Sequence, residues 1–282
     1  MEKKTLTFIF IIAFAASLPI TSFAEDTALN WHWGKGLRLQ SENKNFIFKF
    51  GGRIYHDWAF KDEDAGIRIS LGELQGATSE FRAARLYLSG LIYKNVFFKA
   101  QYDFAGGDVD WKDVYVGLEG VPLAGKVKVG HFKEPFSLEE LTSSKYNPFM
   151  ERGLPNDVFT PGRNSGLAFY NTALEKRVTL AGGLFMDAGD FGDENGNENN
   201  FHATFRVTGL PWHAGKDKLM HVGFSYSYQE ATDNSLQITQ QPETHTGPIF
   251  VDTGSIAADS QNLFSGEAAL VLGSFSLQGE FM

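Results

Sequence analysis

Apolar and polar side chains alternate along this chain in run after run. Phe46, Phe48 and Phe50 share one parity, and Lys49, Arg53 and Tyr55 hold the other. Leu86, Leu88 and Ile92 oppose Arg85, Tyr87 and Ser89, and Val96, Phe98, Ala100, Tyr102 and Phe104 oppose Lys99, Gln101 and Asp103. Val114, Val116 and Leu118 stand against Asp113, Tyr115 and Glu119, and Val127 and Val129 against Lys126 and Lys128. Similar runs lie at 167–170, 178–186, 201–207, 220–228, 268–272 and 275–281. A period of two marks strands with one apolar and one polar face. About eleven such strands are predicted, of roughly the length a tilted strand needs to cross a bilayer.

The connections differ in length. Tyr93-Lys94-Asn95 and Leu272-Gly273-Ser274 are tight, whereas the segments from Phe60 to Glu80, Lys133 to Asn164, Asp187 to Asn200 and Gln229 to Leu263 are long and polar. Short turns on one rim and long loops on the other describe a transmembrane antiparallel β-barrel. A soluble β-sandwich shares the alternation, but it seldom combines this many strands, such bulky apolar parities and such uneven loops. Aromatic strand ends such as Trp58 with Phe60 and Tyr226 with Tyr228 fit the interfacial girdles of a barrel.

The stretch from Val129 to Asn164 is far longer than a usual hairpin loop of about two to five residues. Ser137-Leu138-Glu139-Glu140 reads as a capping box, so a short helix is expected to begin there and to stop before Asn147-Pro148. Phe136, Leu138, Leu141, Phe149, Met150, Leu154 and Phe159 predict that the segment packs against the rest of the molecule. Lys133, Lys145, Arg152 and Arg163 travel with it.

Residues 1–24 have the layout of a secretory signal peptide: a basic start at Lys3 and Lys4, an apolar run from Leu6 to Ile20, and Ser22-Phe23-Ala24 before Glu25. No later stretch approaches the apolar length of a transmembrane helix. The sequence contains no cysteine, which excludes disulfides and thiolate metal sites. Its formal charge of −9 becomes −10 when the two lysines and one glutamate of the leader are removed. An acidic total argues against nucleic acid as a partner but not against an anion held by local charge. The loop DAGDFGDENGNENN at 187–200 is rich in oxygen ligands, yet it lacks calcium-loop spacing. No metal site, cofactor fingerprint or catalytic constellation is found, and no enzymatic activity is expected.

Five segments carry a family resemblance: FKFGGRIYHDW at 48–58, FRAARLYLSGLIYKNVFFKAQYDFA at 81–105, KDVYVGL at 112–118, VGHFKEPFSLEELTSSKYNPFMERGLP at 129–155 and PGRNSGLAF at 161–169. They resemble the phosphate-selective porins O and P in content and order, and FKEPFSLEELTSS is the most specific string. The resemblance implies a trimeric, sixteen-stranded outer-membrane barrel whose third long loop enters the lumen and forms a constriction. It implies passive uptake of phosphate or polyphosphate through a water-filled channel, with outer-membrane lipid around the wall. Residues 25–282 then form the barrel domain. With an odd count near eleven and an ending inside an alternating run, the chain is expected to be the N-terminal part of a longer barrel, since every edge of a closed barrel is paired.

Carried onto this chain, the resemblance places Lys133 and Lys145 on the inserted loop and Arg163 at its return. Arg53 and Arg85 match it as well, and their parity independently points them at the lumen. Lys49, Lys99, Lys128, Arg177 and Arg206 share that parity and extend a basic ladder. The anion-binding or pore-lining candidates are therefore Lys133, Lys145, Arg163, Arg85, Arg53, Lys99 and Lys128. Clustered cations in a narrow site offset the dehydration of an anion, and several moderate sites conduct better than one deep trap. The polar parity also carries Asp103, Asp113 and Glu119, which leaves open a general pore without phosphate specificity. A barrel enzyme and a closed structural or adhesive barrel are the other classes that stay open. His202 and His221 lack an arguable serine partner for the first, and electrical conductance distinguishes the second.

Overall fold

The computed structural model describes residues 29–33, 36–62, 64–71, 76–189 and 200–282. The leader and most of the 187–200 loop lie outside them. The wall begins with β1 (Leu29–Trp33), β2 (Leu37–Ser41), β3 (Phe46–Lys61), β4 (Gly76–Ile92), β5 (Val96–Asp103) and β6 (Asp110–Val121). It continues with β7 (Gly125–Lys133), β8 (Arg163–Ala173), β9 (Val178–Met186), β10 (Phe201–His213) and β11 (Lys218–Glu230). Four two-residue strands follow in the next loop: β12 (Ser235–Leu236) pairs with β15 (Ile256–Ala257), and β13 (Thr239–Gln240) with β14 (Val251–Asp252). β16 (Ser260–Leu272) and β17 (Phe275–Phe281) complete the wall.

Thirteen strands form one antiparallel sheet in chain order, from β1 to β11 and then β16 and β17. The eleven expected runs all lie in it, and β1 and β2 are additional. Among the described residues the sheet does not close, because β1 pairs with β2 alone and β17 with β16 alone. Three short helices interrupt the loops: α1 (Ala65–Leu71), α2 (Leu138–Leu141) and α3 (Leu154–Phe159). The loop expected from Phe60 to Glu80 is shorter than its sequence suggests, since β3 runs to Lys61 and β4 starts at Gly76.

Alternation decides which face each residue takes, and the result inverts a soluble protein. Ile54 is 70% exposed, and Leu86, Leu118, Leu184, Phe224, Phe264 and Leu277 are exposed with it on one face. Gln101, Asp103, Glu134, Thr204, Ser225, Ser227 and Glu267 are buried on the other side. Large apolar groups outside and polar groups inside is the arrangement of a wall solvated by hydrocarbon. The buried apolar cluster is correspondingly small, with Phe132, Ala168 and Phe185 at its centre.

Tight turns lie on one rim. At β4–β5 both Tyr93 and Lys94 take left-handed backbone angles (φ 50° and 64°), which give the hairpin the twist of its strands. A bulge between Tyr55 and His56 of β3 sets Arg82 as an extra residue of β4. Beyond it, Phe81 faces outward, and Arg82 is turned inward.

Candidate functional site

The β7–β8 connection folds inward from its strand ends. Glu134, directly after Lys133, is wholly buried and ties the root of the loop to two strands. Its carboxylate accepts from Asn164 Nδ2 on β8 at 2.7 Å, contacts His202 Nδ1 on β10 at 2.9 Å, and accepts from the Thr204 hydroxyl. Phe136 is buried beside it. Ser137 caps α2 as its position predicts, its Oγ accepting from Glu140 N at 3.1 Å. The Glu140 side chain turns elsewhere, to Lys133 at 2.6 Å and Arg152 at 3.3 Å. Not every apolar group of the loop is covered. Phe149, Met150, Leu154 and Phe159 stay exposed, contrary to the packing expected of them, because polar contacts hold this part of the loop and α3 turns Asn156 rather than its apolar groups inward.

Further contacts hold the loop across the lumen. Arg152 donates to the carbonyl oxygens of Glu139 and Thr142, each at 3.2 Å, which satisfies the end of α2. Leu154 N donates to Glu243 Oε1 at 3.1 Å, so the β11–β16 loop meets α3. Glu280 on β17 accepts from Ser137 Oγ, Leu138 N and Glu139 N at 2.7, 3.1 and 2.6 Å.

Between this loop and strands β3 to β6 lies a cavity of about 840 Å³. Ten of its lining residues are Lys or Arg and five are Asp or Glu, with His245 at its border. A chain of formal charge −9 thus encloses a basic interior. Local charge, rather than the total, sets the field that an entering ion meets.

Six of the seven sequence-predicted candidates line this one cavity: Lys133, Lys145, Arg163, Arg85, Arg53 and Lys99. Their partners differ. Lys99 Nζ and Arg163 Nε share Asp113, at 2.6 and 3.0 Å. Arg85 Nε binds Asp103 at 2.5 Å, and Lys133 is paired with Glu140. Arg53 stands over the Tyr55 ring at 5.5 Å and reaches Ser143 Oγ at 3.4 Å. Lys145 lies 5.9 Å from the centre of the Tyr87 ring. Among the described residues, Arg53 and Lys145 form no ion pair.

Lys128 stands apart from the other six. It does not line the cavity; its ammonium sits 3.7 Å from the Phe132 ring centre, with Tyr115 at 4.8 Å and Tyr170 at 4.9 Å. Parity turns it inward as expected, and three aromatic rings surround its ammonium there, the attraction of their faces adding to that of the Asp113 carboxylate. The outer parts of the ladder also diverge. Arg206 is paired with Glu267, and Arg177 is exposed in the β8–β9 turn.

Arg82, Lys112 and Arg152 line the cavity as well and were absent from the candidates. Arg82 binds Asp57 at 2.5 Å and Glu151 at 3.2 Å, and donates to the Met150 carbonyl at 2.7 Å. Parity assigns it to the outer face with Leu86, and the bulge overrules parity. In the sequence the only available signal is an arginine on an otherwise apolar parity. Lys112 is re-aimed by a second irregularity of register, between Ala100 and Tyr102 of β5 and their partners on β6.

Two carboxyls of the inserted loop are shifted upward. Burial raises Asp157 of α3 to about 6, with Arg152 opposing and Glu151, Glu140 and Glu139 reinforcing the shift. Burial likewise raises Glu139, against the Gly153 N–H and with the help of Glu280.

The family model described as phosphate-selective porin O and P matches residues 48–282. Porin O of Pseudomonas aeruginosa is 26% identical over 274 residues, covering 88% of this chain and 60% of that protein. A protein of Caulobacter vibrioides described only as uncharacterized is 28% identical over 275 residues, covering 93% of this chain and 53% of its own length. The chain thus spans little more than half the length of these relatives.

Proposed function

The chain belongs to the phosphate-selective porin O and P family, and on that premise we propose that it forms the wall and constriction of an outer-membrane channel for passive uptake of phosphate or polyphosphate. The observation that carries the reading is the basic cavity beneath the inserted loop. The exposed apolar face meets lipid or, in a trimer, neighbouring copies. The leader directs export.

Chemically the cavity suits an anion that sheds only part of its water. Arg53 and Lys145 offer donors uncommitted to a carboxylate, and Lys99, Lys133, Arg85 and Arg163 stand behind them in partly neutralised pairs. Arginine presents a planar fork to phosphate oxygens, and lysine a rotatable point charge. The paired carboxylates limit the depth of the well, so that a bound anion also leaves.

The same carboxylates favour a second reading, a general or differently selective porin. Single-channel recording of the full-length protein, in a chloride gradient with added phosphate, separates the two. Anion-side reversal potential with chloride current blocked by low phosphate supports the phosphate channel. Weakly selective current indifferent to phosphate leaves a general pore.

A further inference from the structure

The inserted loop belongs to β7 and β8, yet its helix is fastened to a strand well removed from both. Four strands, β9, β10, β11 and β16, separate β8 from β17 in the sheet. Glu280 alone on β17 receives three donors from the α2 start: the Ser137 hydroxyl at 2.7 Å, Leu138 N at 3.1 Å and Glu139 N at 2.6 Å. Phe275, Leu277 and Phe281 are exposed on the outer face of β17, whereas Glu280 has the inward parity and is half-buried. Its contacts with the loop span 141 to 143 residues of sequence.

We infer that Glu280 is a positioning residue, which holds the α2 end of the loop at the far wall and thereby sets where Lys133 and Lys145 stand in the cavity. Charge-assisted hydrogen bonds of this kind are the stronger ones, and three on one carboxylate define both a distance and a direction. The linkage to the cations is short. Ser137 caps α2, Glu140 on the same helix binds Lys133, and Lys145 follows α2 by four residues. Glu134 fixes the near end of the loop to β8 and β10. With residue 134 held at the root and residues 137–139 held at β17, a small displacement at Glu280 moves the donors an anion meets.

The inference rests on the proposed anion channel, and its test is arranged so that the two fail separately. The full-length protein and its Glu280→Ala and Glu280→Gln variants are reconstituted in planar bilayers, and only open channels are scored. Chloride conductance and the phosphate concentration giving half block are read channel by channel, so a loss of folding yield does not enter. Glu280→Ala is expected to raise the half-blocking concentration about tenfold and to change the chloride conductance, with Glu280→Gln intermediate because it keeps one acceptor. On a background carrying both Lys133→Ala and Lys145→Ala, Glu280→Ala is expected to add little, since it acts through those two cations.

Unchanged conductance and unchanged block in Glu280→Ala overturn the positioning role. So does a full additional loss on the background lacking both lysines, which would make Glu280 independent of them. Absence of phosphate block in the unsubstituted channel sinks the phosphate reading alone, and the chloride conductance of Glu280→Ala then still decides the position of the loop.

Discussion

Arg53 and Arg85 stand directly opposite each other on β3 and β4. Like charges in a cross-strand pair oppose sheet formation, by up to roughly 1 kcal/mol against a neutral pair. Arg85 is relieved by Asp103, whereas among the described residues Arg53 meets Tyr55 and Ser143 and no carboxylate. A strained pair of cations facing a cavity is intelligible if an anion is its intermittent third partner. Arg53→Gln is therefore expected to leave thermal stability unchanged or slightly higher. It should weaken phosphate block severalfold. A fall in stability of more than about 1 kcal/mol on thermal unfolding, with block intact, would show that Arg53 serves the wall instead.

Asp113 binds two cations of the cavity at once, Lys99 and Arg163. Asp113→Asn removes the negative charge and keeps the shape, so both cations gain reach toward an anion. The chloride-to-potassium permeability ratio should rise and phosphate should bind more tightly and leave more slowly. Reversal potentials and block lifetimes measure the two effects. A fall in anion preference would contradict the assignment.

The loop cations divide by their partners. Lys145→Glu reverses a charge that no described carboxylate holds, so it should reduce anion selectivity with little change in stability. Lys133→Glu reverses a charge beside Glu140, which is buried, and should both reduce selectivity and loosen the loop. Reversal potentials together with limited proteolysis of the 138–160 segment distinguish the pair of outcomes.

Glu134 has no counterpart in the cavity, yet its loss should be the most damaging of these. Glu134→Ala strips the acceptor from Asn164, His202 and Thr204 inside the wall. A cost of about 2–4 kcal/mol is expected, read as a lowered temperature of heat modification on gels. An unchanged transition would mean that the loop root is held by its apolar contacts at Phe136.

Asp157 makes the loop sensitive to pH. Its carboxyl is raised from an ordinary 3.8 to about 6, so the folded loop binds a proton that the opened loop releases. The stabilisation is complete below the ordinary value and is lost as the pH rises through about 6. Hydrogen-exchange protection of residues 154–160, corrected for intrinsic rates, should be greater at pH 5 than at pH 7.5. Asp157→Asn should reduce the difference, leaving the smaller part that Glu139 contributes.

Period two makes the wall legible from Phe46 onward because each strand obeys one rule of burial along its length. β1 and β2 are only five residues each, too short for the alternation of Leu37 and Leu39 with Arg38 and Gln40 to stand out. The same rule places Arg53, Arg85 and Lys99 inward. It fails at Arg82 and Lys112, where a bulge shifts the phase, and it cannot show that three rings from β6, β7 and β8 surround Lys128. Nor does any local pattern relate Glu280 to Ser137. That contact depends on how the sheet curves, which is a property of the whole wall.

The link between Glu280 and Ser137 also orders the assembly of the molecule. Contacts between residues 143 apart form after the intervening hairpins have paired, since each earlier pairing shortens the remaining separation. Until β17 arrives, α2 lacks the acceptor for its first backbone donors, while Glu134 at the root and Arg82 at Met150 and Glu151 already hold the rest of the loop. The start of α2 is therefore fixed late, after the strands from β9 to β16 have paired. A chain stalled before β17 would carry its loop without that clamp, so the contacts of Glu280 report that β17 has joined the sheet.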